Sequence, residues 1–206
     1  MKMVDGSEPK VSEIIHLFGQ LSRIMIRFSE DFIMSYIWKD YHPVTMSFIE
    51  SWLDTEAVNM TGIDDGWRAF HEYWITDGGL NPGVDYWCKV VYDAGIPFAI
   101  IAFSLSDKTV HIMELLVKPE MRGKGLGSSL ICELLSDGER IMGRRIEKAS
   151  AVIYPNNHAS QKAFEHAGFT FDYANGDGDA WVYSYVPQKE SAGETASRKA
   201  ANRKTD

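Results

Sequence analysis

The sequence lacks a disulfide framework, an excess of positive charge and a long apolar run, and each lack excludes a class of protein. Its two cysteines, Cys88 and Cys132, are too few and too far apart for a disulfide scaffold or a zinc site, and they suit a reducing compartment. Lys and Arg number 21 against 29 Asp and Glu, and the net charge of -8 argues against general nucleic-acid binding. We therefore expect a cytoplasmic protein without a nucleic-acid partner and without a bound metal.

The N-terminal segment 1–30 is predicted to be an extension of the folded domain. Its first ten residues lack the cationic start and apolar core of a secretory signal. Apolar residues then recur at helical spacing from 11 to 28, but polar and charged residues interrupt them too often for a transmembrane span. We predict an amphipathic helix that packs on the domain or on a partner subunit, and no association with a membrane.

The rest of the chain has the composition of one domain followed by a polar tail. With 206 residues, of which 45% are apolar, the chain can fill one core or at most two small ones. We place a single domain at residues 31–186. Residues 187–206 contain no aromatic or large aliphatic side chain, so we expect a solvated, disordered tail there.

Apolar periodicity predicts an α/β domain with a mostly antiparallel sheet. Three strands joined by short turns are predicted at 87–93, 98–105 and 109–117. Further strands are predicted at 32–37, 148–154, 169–174 and 180–186, and helices at 44–53, 66–74, 126–143 and within 155–169.

The stretch VKPEMRGKGLGSSL, residues 117–130, places three glycines between the third of the strands in that meander and the following helix. A helix N-terminus leaves N–H groups unpaired and carries the positive end of the helix dipole, so it attracts anions. Gly123, Gly125 and Gly127 let the backbone approach such an anion closely, while Arg122 and Lys124 add positive charge. The stretch therefore predicts a phosphate-binding site.

Two common phosphate motifs do not fit this stretch, and a third pattern does. Gly125 stands where a Walker motif needs Ser or Thr after Gly-Lys, and the glycines run G-x-G-x-G rather than G-x-G-x-x-G. What remains is Arg-x-x-Gly-x-Gly after a strand and a proline, which resembles the acetyl-CoA pyrophosphate loop of the GNAT acetyltransferase superfamily. For the loop alone, a flexible surface turn is the structural alternative.

A second segment, NNHASQKAFEHAGF at 156–169, also resembles this superfamily. An asparagine is followed there by a short helix that ends in Gly-Phe, and Asn157, Phe164 and Gly168 stand at the matching spacings. The resemblance implies a GNAT-like fold, with a mixed, mostly antiparallel sheet and helices on both faces. It also implies direct transfer of acetyl from acetyl-CoA to an amine.

The resemblance assigns cofactor contacts to the strand, the loop and the second helix. The backbone of Leu115–Val117 would pair with the pantetheine arm, and an N–H of Leu116 or Val117 would stabilise charge on the thioester oxygen. The loop N–H groups would hold the pyrophosphate, and Asn157 would meet the cofactor. The full implied set is Leu115, Leu116, Val117, Arg122, Gly123, Lys124, Gly125, Leu126, Gly127, Ser128 and Asn157.

Two residues are candidates for the base that a protonated amine requires. An alkyl ammonium has a pKa near 10.4, so forming the free amine at pH 7 costs about 4–5 kcal/mol. His111 resembles the catalytic histidine of the arylalkylamine branch, and Glu114 occupies a position where members often carry glutamate. Each has a structural alternative, as a hydrogen-bonded strand residue or as an anchor for its neighbours. Strict strand alternation predicts that the two side chains lie on opposite faces.

The chain departs from the superfamily at the residue that would protonate the leaving thiolate. Many members carry a tyrosine at the position of Phe164. Without that acid, the thiol leaves as the anion, which slows the reaction without preventing it. Tyr154 and Tyr173 are candidate replacements.

The segment before the meander shapes the acceptor pocket in this superfamily. Here, residues 54–86 carry seven acidic residues against the single cation Arg68, with interleaved aromatic residues. This composition favours a small cationic amine resembling a polyamine or an aminoglycoside. The structural alternative is that these acidic residues are solvated surface carboxylates and that the aromatic residues belong to the core. Two other functions stay open: a protein N-terminal or lysine acetyltransferase, and a catalytically weak CoA-binding module. The resemblance is also compatible with a homodimer.

Overall fold

Seven strands form one mixed sheet in the computed structural model, which describes residues 36–77 and 81–187. The strands are β1 (Ile37–Asp40), β2 (Asp85–Asp93), β3 (Ile96–Ser106), β4 (Thr109–Val117), β5 (Lys148–Ile153), β6 (Thr170–Ala174) and β7 (Trp181–Tyr185). Their order across the sheet is β1-β2-β3-β4-β5-β7-β6. β4 and β5 run parallel and every other neighbouring pair is antiparallel, which confirms the predicted sheet.

The helices of the described residues are short and connect the strands. They are a 3-10 helix (Ser47–Trp52), α1 (Thr55–Thr61), α2 (Trp67–His71) with a π-helical extension (Glu72–Thr76), a 3-10 turn (Pro119–Met121), α3 (Leu126–Ser136), α4 (Gly138–Met142) and α5 (His158–His166). Within the described residues, no helix is long and apolar enough to cross a membrane.

Three sequence predictions about these elements need correction. The helix predicted at 126–143 is two helices, because the backbone of Asp137 leaves the helical conformation between α3 and α4. The helix predicted at 44–53 is a single 3-10 segment. The strand predicted at 32–37 runs from Ile37 to Asp40 in the described part of the chain, and residues 32–35 lie outside that part. The predicted helix within 1–30 and the tail after 187 lie outside the described residues.

Helices cover both faces of the sheet, as neighbouring residues of β4 show. Leu116 packs into a buried core with Trp52 of the 3-10 helix and Trp67 of α2. The adjacent Leu115 points to the opposite face, where its Cδ2 lies 3.7 Å from the position that a Cβ on Gly127 of α3 would occupy. The end of β4 is therefore held between a helical layer on one side and α3 on the other.

A bulge in β4 changes which of its side chains share a face. The pairing with β3 shifts by one residue next to Ala102, and Met113 is the extra residue of β4. Glu114 lies opposite Ala102, and His111 lies opposite Ser104. Because alternate residues of β3 point to the same face, Glu114 and His111 lie on one face, and the prediction from strict alternation is wrong here.

The carboxylate of Glu50 closes the N-terminus of α2 from outside that helix. Its Oε2 accepts a hydrogen bond from the N–H of Trp67, and its Oε1 accepts one from the N–H of Arg68, each at 2.8 Å. The residue at the helix start is Gly66, which has no side chain to offer. Glu50 therefore satisfies two N–H groups that the helix itself leaves unpaired, at the positive end of its dipole.

We expect Glu50→Gln to lower the free energy of unfolding by about 1–2 kcal/mol, because one amide oxygen replaces two charged acceptors. Thermal unfolding should show a loss of several degrees in Tm. Asp65→Asn, an exposed carboxylate of the same segment, is the matched control and should change Tm little. Equal losses in the two variants would contradict the capping role of Glu50.

Candidate functional site

A cleft opens where β4 and β5 separate. Their parallel pairing begins at Thr109 opposite Lys148 and ends at Ile112 opposite Ala151, while β4 continues alongside β3 as far as Val117. The cleft has a volume of ≈ 1000 Å³. Beyond Ile112, the backbone groups of β4 on the β5 side have no strand partner among the described residues, so they border the cleft.

Most of the predicted site residues meet in this cleft. Its lining includes Glu114, Leu115, Leu116, Val117, Arg122, Gly123, Gly125, Leu126, Gly127, Ser128 and Asn157. Two predicted residues, Lys124 and His111, are not part of the lining. The Nζ of Lys124 lies 3.8 Å from the Sδ of Met121.

The glycine loop presents a row of unpaired backbone N–H groups to the cleft. Gly123 and Gly125 have φ values of 73° and 76°, and Gly125 precedes the first turn of α3. Within residues 36–77 and 81–187, no group accepts a hydrogen bond from the N–H groups of residues 123–128. The first N–H that finds an acceptor is that of Ser129, which donates to the carbonyl of Gly125 at 3.1 Å. Unpaired N–H groups and the positive end of the α3 dipole together form an anion site.

The glycines are required by backbone conformation rather than by crowding. A Cβ on Gly123 or Gly125 would meet no atom within 4 Å, so a side chain there would point into open space. Their positive φ values, however, disfavour any residue with a side chain. The loop therefore keeps its N–H groups accessible from the cleft.

The Arg122 side chain is not free to add charge to the anion site, contrary to the sequence prediction. Its Nη1 donates to Asp54 Oδ2 at 2.7 Å, its Nη2 donates to the Trp52 carbonyl at 3.0 Å, and its Nε donates to the Val117 carbonyl at 3.0 Å. Asp54 also caps α1, because its Oδ1 accepts the N–H of Ala57 at 2.8 Å. Arg122 therefore fastens the loop to the end of β4 and to the start of α1.

Sequence reasoning did not identify Asp54 as part of this site. Its signal in the sequence is an aspartate directly before a helix start, but 68 residues separate it from Arg122. The hydrogen bond from Ala57 and the charge of Arg122 lower the pKa of Asp54, so the carboxylate stays ionised at neutral pH.

Asn157 holds the start of α5 at the rim of the cleft. Its Oδ1 accepts the N–H of Ser160 at 3.1 Å, which is a helix cap. Its Nδ2 donates to the carbonyl of Met60 in α1 at 3.5 Å. Asn157 therefore links α5 to α1 across the cleft.

Glu114 is a half-buried carboxyl group in the cleft wall. Among the described residues, none forms a hydrogen bond or an ion pair with its carboxyl group. Burial raises the pKa of Glu114 to about 8, far above that of an exposed glutamate. A carboxyl group with such a pKa can accept a proton from an amine near neutral pH.

His111 lies on the same face of β4 but outside the cleft. Its Nδ1 is 2.6 Å from the Ser150 hydroxyl on β5, and its Nε2 is 3.3 Å from the Ser106 hydroxyl. Both ring nitrogens are thus engaged in the paired region of the sheet, and burial lowers the pKa of the imidazole. The geometry favours Glu114 over His111 as the base.

The aromatic residues around the cleft differ from the pattern expected for a cationic pocket. Trp67 is fully buried in the core, and Tyr73 is exposed outside the cleft lining. Phe164 lines the cleft but is almost fully buried. Of the two tyrosines named as proton donors, Tyr154 lines the cleft and Tyr173 lies outside the lining.

Comparison with known proteins identifies a family match. A sequence model of the Acetyltransferase (GNAT) family matches residues 36–169. This range contains the cleft from α1 to α5. No curated protein sequence matches the chain.

Solved structures of acetyltransferases share the fold at low sequence identity. The aminoglycoside acetyltransferase AAC(6')-Ib in complex with coenzyme A has a TM-score of 0.58 at 18% identity, covering 84% of this chain and 100% of that one. The N-acetyltransferase PseH of Campylobacter jejuni, in complex with acetyl coenzyme A, has a TM-score of 0.53 at 15% identity, covering 75% and 100%. A putative phosphinothricin N-acetyltransferase has a TM-score of 0.55 at 22% identity, covering 75% and 100%.

Proposed function

This chain belongs to the GNAT acetyltransferase family, and on that premise we propose that it moves acetyl from acetyl-CoA to a small cationic amine resembling a polyamine or an aminoglycoside. The reaction class, N-acetyl transfer with acetyl-CoA as donor, is that of the family.

One observation carries the proposal: the unpaired N–H groups of residues 123–128 and the carboxyl group of Glu114 border the same cleft. A diphosphate suits the N–H groups, which can donate hydrogen bonds to its oxygens without a dedicated side chain. The backbone groups of Leu115–Val117 that point away from β3, other than the Val117 carbonyl held by Arg122, can then pair with the pantetheine arm and direct the thioester toward Glu114.

In the proposed reaction, the carboxylate of Glu114 removes one proton from the ammonium group of the acceptor and so frees the amine. The nitrogen attacks the thioester carbon, the C–S bond breaks, and CoA leaves, while the nitrogen gives its second proton to solvent. The N–H of Val117 stabilises the negative charge that develops on the carbonyl oxygen. It points away from β3, because the N–H of the next residue, Lys118, donates to the Phe98 carbonyl on that strand. The Arg122 contacts with Asp54 and Val117 keep the loop and the strand in fixed relative positions during this step.

One carboxylate at the cleft supports a cationic acceptor. Glu56 belongs to the lining and its side chain is 77% exposed, although Arg122 Nη1 lies 3.9 Å from its Oε2 and Lys162 adds a cation to the same lining. Among solved structures with the same fold, AAC(6')-Ib has been solved in complex with coenzyme A and kanamycin, and with ribostamycin and coenzyme A. Exposed carboxylates attract a polycation from solution and favour it over a monoamine.

We expect thiol release from acetyl-CoA to depend on the charge of the acceptor. With spermidine or kanamycin, kcat/KM should be about 10-fold or more above that for a monoamine of similar size, and added salt should narrow the difference by screening. The measurement is the initial rate of CoA thiol release with each amine and with peptides that have free N-termini.

Two outcomes would contradict the acceptor assignment. If peptide N-termini are acetylated while small amines release thiol no faster than a reaction without acceptor, the chain acts in protein acetylation. If the chain binds acetyl-CoA but releases no CoA thiol with any acceptor, it is a CoA-binding module.

A further inference from the structure

The departing sulfur of CoA needs a proton that Phe164 cannot supply. A thiol with a pKa of about 8.5 favours its protonated form by about 30-fold at pH 7, so an acid at the sulfur speeds its departure. Phe164 has a hydrocarbon ring that packs edge-on against Phe169, with ring centroids 5.0 Å apart. An acid that speeds this departure therefore has to be another group in the cleft.

Several other polar groups in the cleft are engaged elsewhere. The Thr61 hydroxyl donates to the Ala57 carbonyl at 2.9 Å, and the Ser128 hydroxyl donates to the Gly125 carbonyl at 2.8 Å. The Nδ1 of His158 lies 3.2 Å from the amide oxygen of Gln161 within α5. Aliphatic hydroxyl groups are also much weaker acids than a phenol. The cleft lining contains a single tyrosine among the described residues, Tyr154.

Tyr154 directs its ring to the face of the sheet that carries Glu114. Ser150 of β5 lies opposite His111, which shares a face with Glu114, and Tyr154 follows Ser150 by four residues. Alternation along the strand and its continuation therefore brings the Tyr154 side chain to that same face. Its hydroxyl lies 3.5 Å from the position that a Cβ on Gly62 would occupy, at the end of α1. The ring thus reaches from the end of β5 across the cleft toward α1.

The Tyr154 hydroxyl is available for chemistry. Within residues 36–77 and 81–187, no group forms a hydrogen bond with it, although the Tyr154 carbonyl accepts the Nε2–H of Gln161. The residue is 43% exposed, so solvent can return a proton to the phenolate after each turnover.

We propose that Tyr154 is the proton donor to the CoA sulfur in this chain, in the place of the phenol that Phe164 lacks. As the C–S bond breaks, its electron pair moves to sulfur, and the Tyr154 O–H transfers its proton there to form the CoA thiol. The phenolate then takes a proton from solvent. Glu114 accepts the separate proton that the amine nitrogen loses, so the two residues act on different atoms. This inference rests on acetyl transfer from acetyl-CoA in this cleft.

The test compares kcat and acetyl-CoA binding in the native chain and in Tyr154→Phe, with spermidine or whichever acceptor the amine panel finds active. We expect kcat to fall about 30-fold, with the dissociation constant for acetyl-CoA unchanged. Tyr173→Phe removes a phenol hydroxyl outside the cleft and should keep the native rate. The solvent deuterium isotope effect on kcat should change in Tyr154→Phe, because proton transfer to sulfur is then lost.

A double variant separates the hydroxyl from the packing of the ring. Adding Phe164→Tyr to Tyr154→Phe places a phenol elsewhere in the same cleft, and we expect it to recover several-fold of the lost rate. A kcat within about twofold of native in Tyr154→Phe would overturn the inference and leave acetyl transfer intact. So would a double variant that is as slow as the single one. Absence of thiol release from the native chain would instead refute the proposed function.

Discussion

Gly125→Glu is expected to weaken acetyl-CoA binding by at least about 100-fold. Its carboxylate would stand at the start of α3, where the account places a diphosphate, and two like charges 4 Å apart near a protein surface repel by about 4 kcal/mol. In thermal unfolding, acetyl-CoA at about a hundred times its dissociation constant should stabilise the native chain by about 2.7 kcal/mol. That corresponds to a rise of several degrees in Tm, which the variant should lack.

Gly143→Glu provides a matched control for the strain that this substitution introduces. Gly143 ends α4 with φ 69°, and a Cβ there would also meet no atom within 4 Å. Both variants therefore place the same side chain in a left-handed conformation, at a cost of about 1–2 kcal/mol in stability. Of these two glycines, only Gly125 lines the cleft. A similar ligand-induced shift in Gly125→Glu and Gly143→Glu would refute the loop as the cofactor site.

Glu114→Gln is expected to lower kcat by about 100-fold or more, because the amide cannot accept the proton of the attacking amine. Burial raises the pKa of Glu114 to about 8, so kcat of the native chain should rise with pH up to about 8 and then level. The variant should lose this dependence while its affinity for acetyl-CoA stays close to native. The measurement is kcat between pH 6 and 9.5 at saturating concentrations of both substrates.

His111→Gln is the comparison that decides between the two sequence candidates. His111 lies outside the cleft lining and is bonded to Ser150 and Ser106, so its replacement should affect folding more than kcat. A steep loss of kcat in His111→Gln, together with a near-native rate in Glu114→Gln, would transfer the role of base to His111.

The same pKa shift has a consequence for stability. Between about pH 4.5 and pH 8, the folded chain keeps the Glu114 proton that the unfolded chain has lost, so the free energy of unfolding falls as pH rises through this window. In Glu114→Gln the side chain does not titrate, so this decrease in the free energy of unfolding with pH is absent. Its Tm relative to the native chain should therefore increase from pH 5 to pH 8.5, in a direction opposite to its effect on kcat.

Local patterns predicted the parts of the site that are continuous in sequence. The glycines of residues 123–128 predict an anion site, because unpaired N–H groups at a helix start follow from backbone geometry alone. Likewise, Asn157 stands at the start of α5, where a short polar side chain caps a helix. The strands of the meander are apolar runs between short turns, and all three are present in the sheet.

Contacts between distant residues could not be predicted in this way. The pairing of Arg122 with Asp54 joins residues 68 positions apart, and it removes from the anion site a charge that the loop sequence alone predicts there. The bulge at Met113 depends on the register against β3, which the sequence does not reveal. The sequence prediction therefore assumed strict alternation and wrongly placed Glu114 and His111 on opposite faces. Ser150 engages His111 from 39 residues away. Each correction arises where tertiary pairing overrides a local rule.

In the proposed function, the cleft binds acetyl-CoA chiefly through its diphosphate. We would titrate the native chain calorimetrically with acetyl-CoA and, separately, with acetyl-pantetheine, which lacks the diphosphate and the adenosine 3'-phosphate beyond it. We expect one acetyl-CoA site per chain and at least about 100-fold weaker binding of acetyl-pantetheine, since the unpaired N–H groups and the helix dipole act on the missing anion. Equal affinities for the two compounds, or no heat with acetyl-CoA, would contradict it.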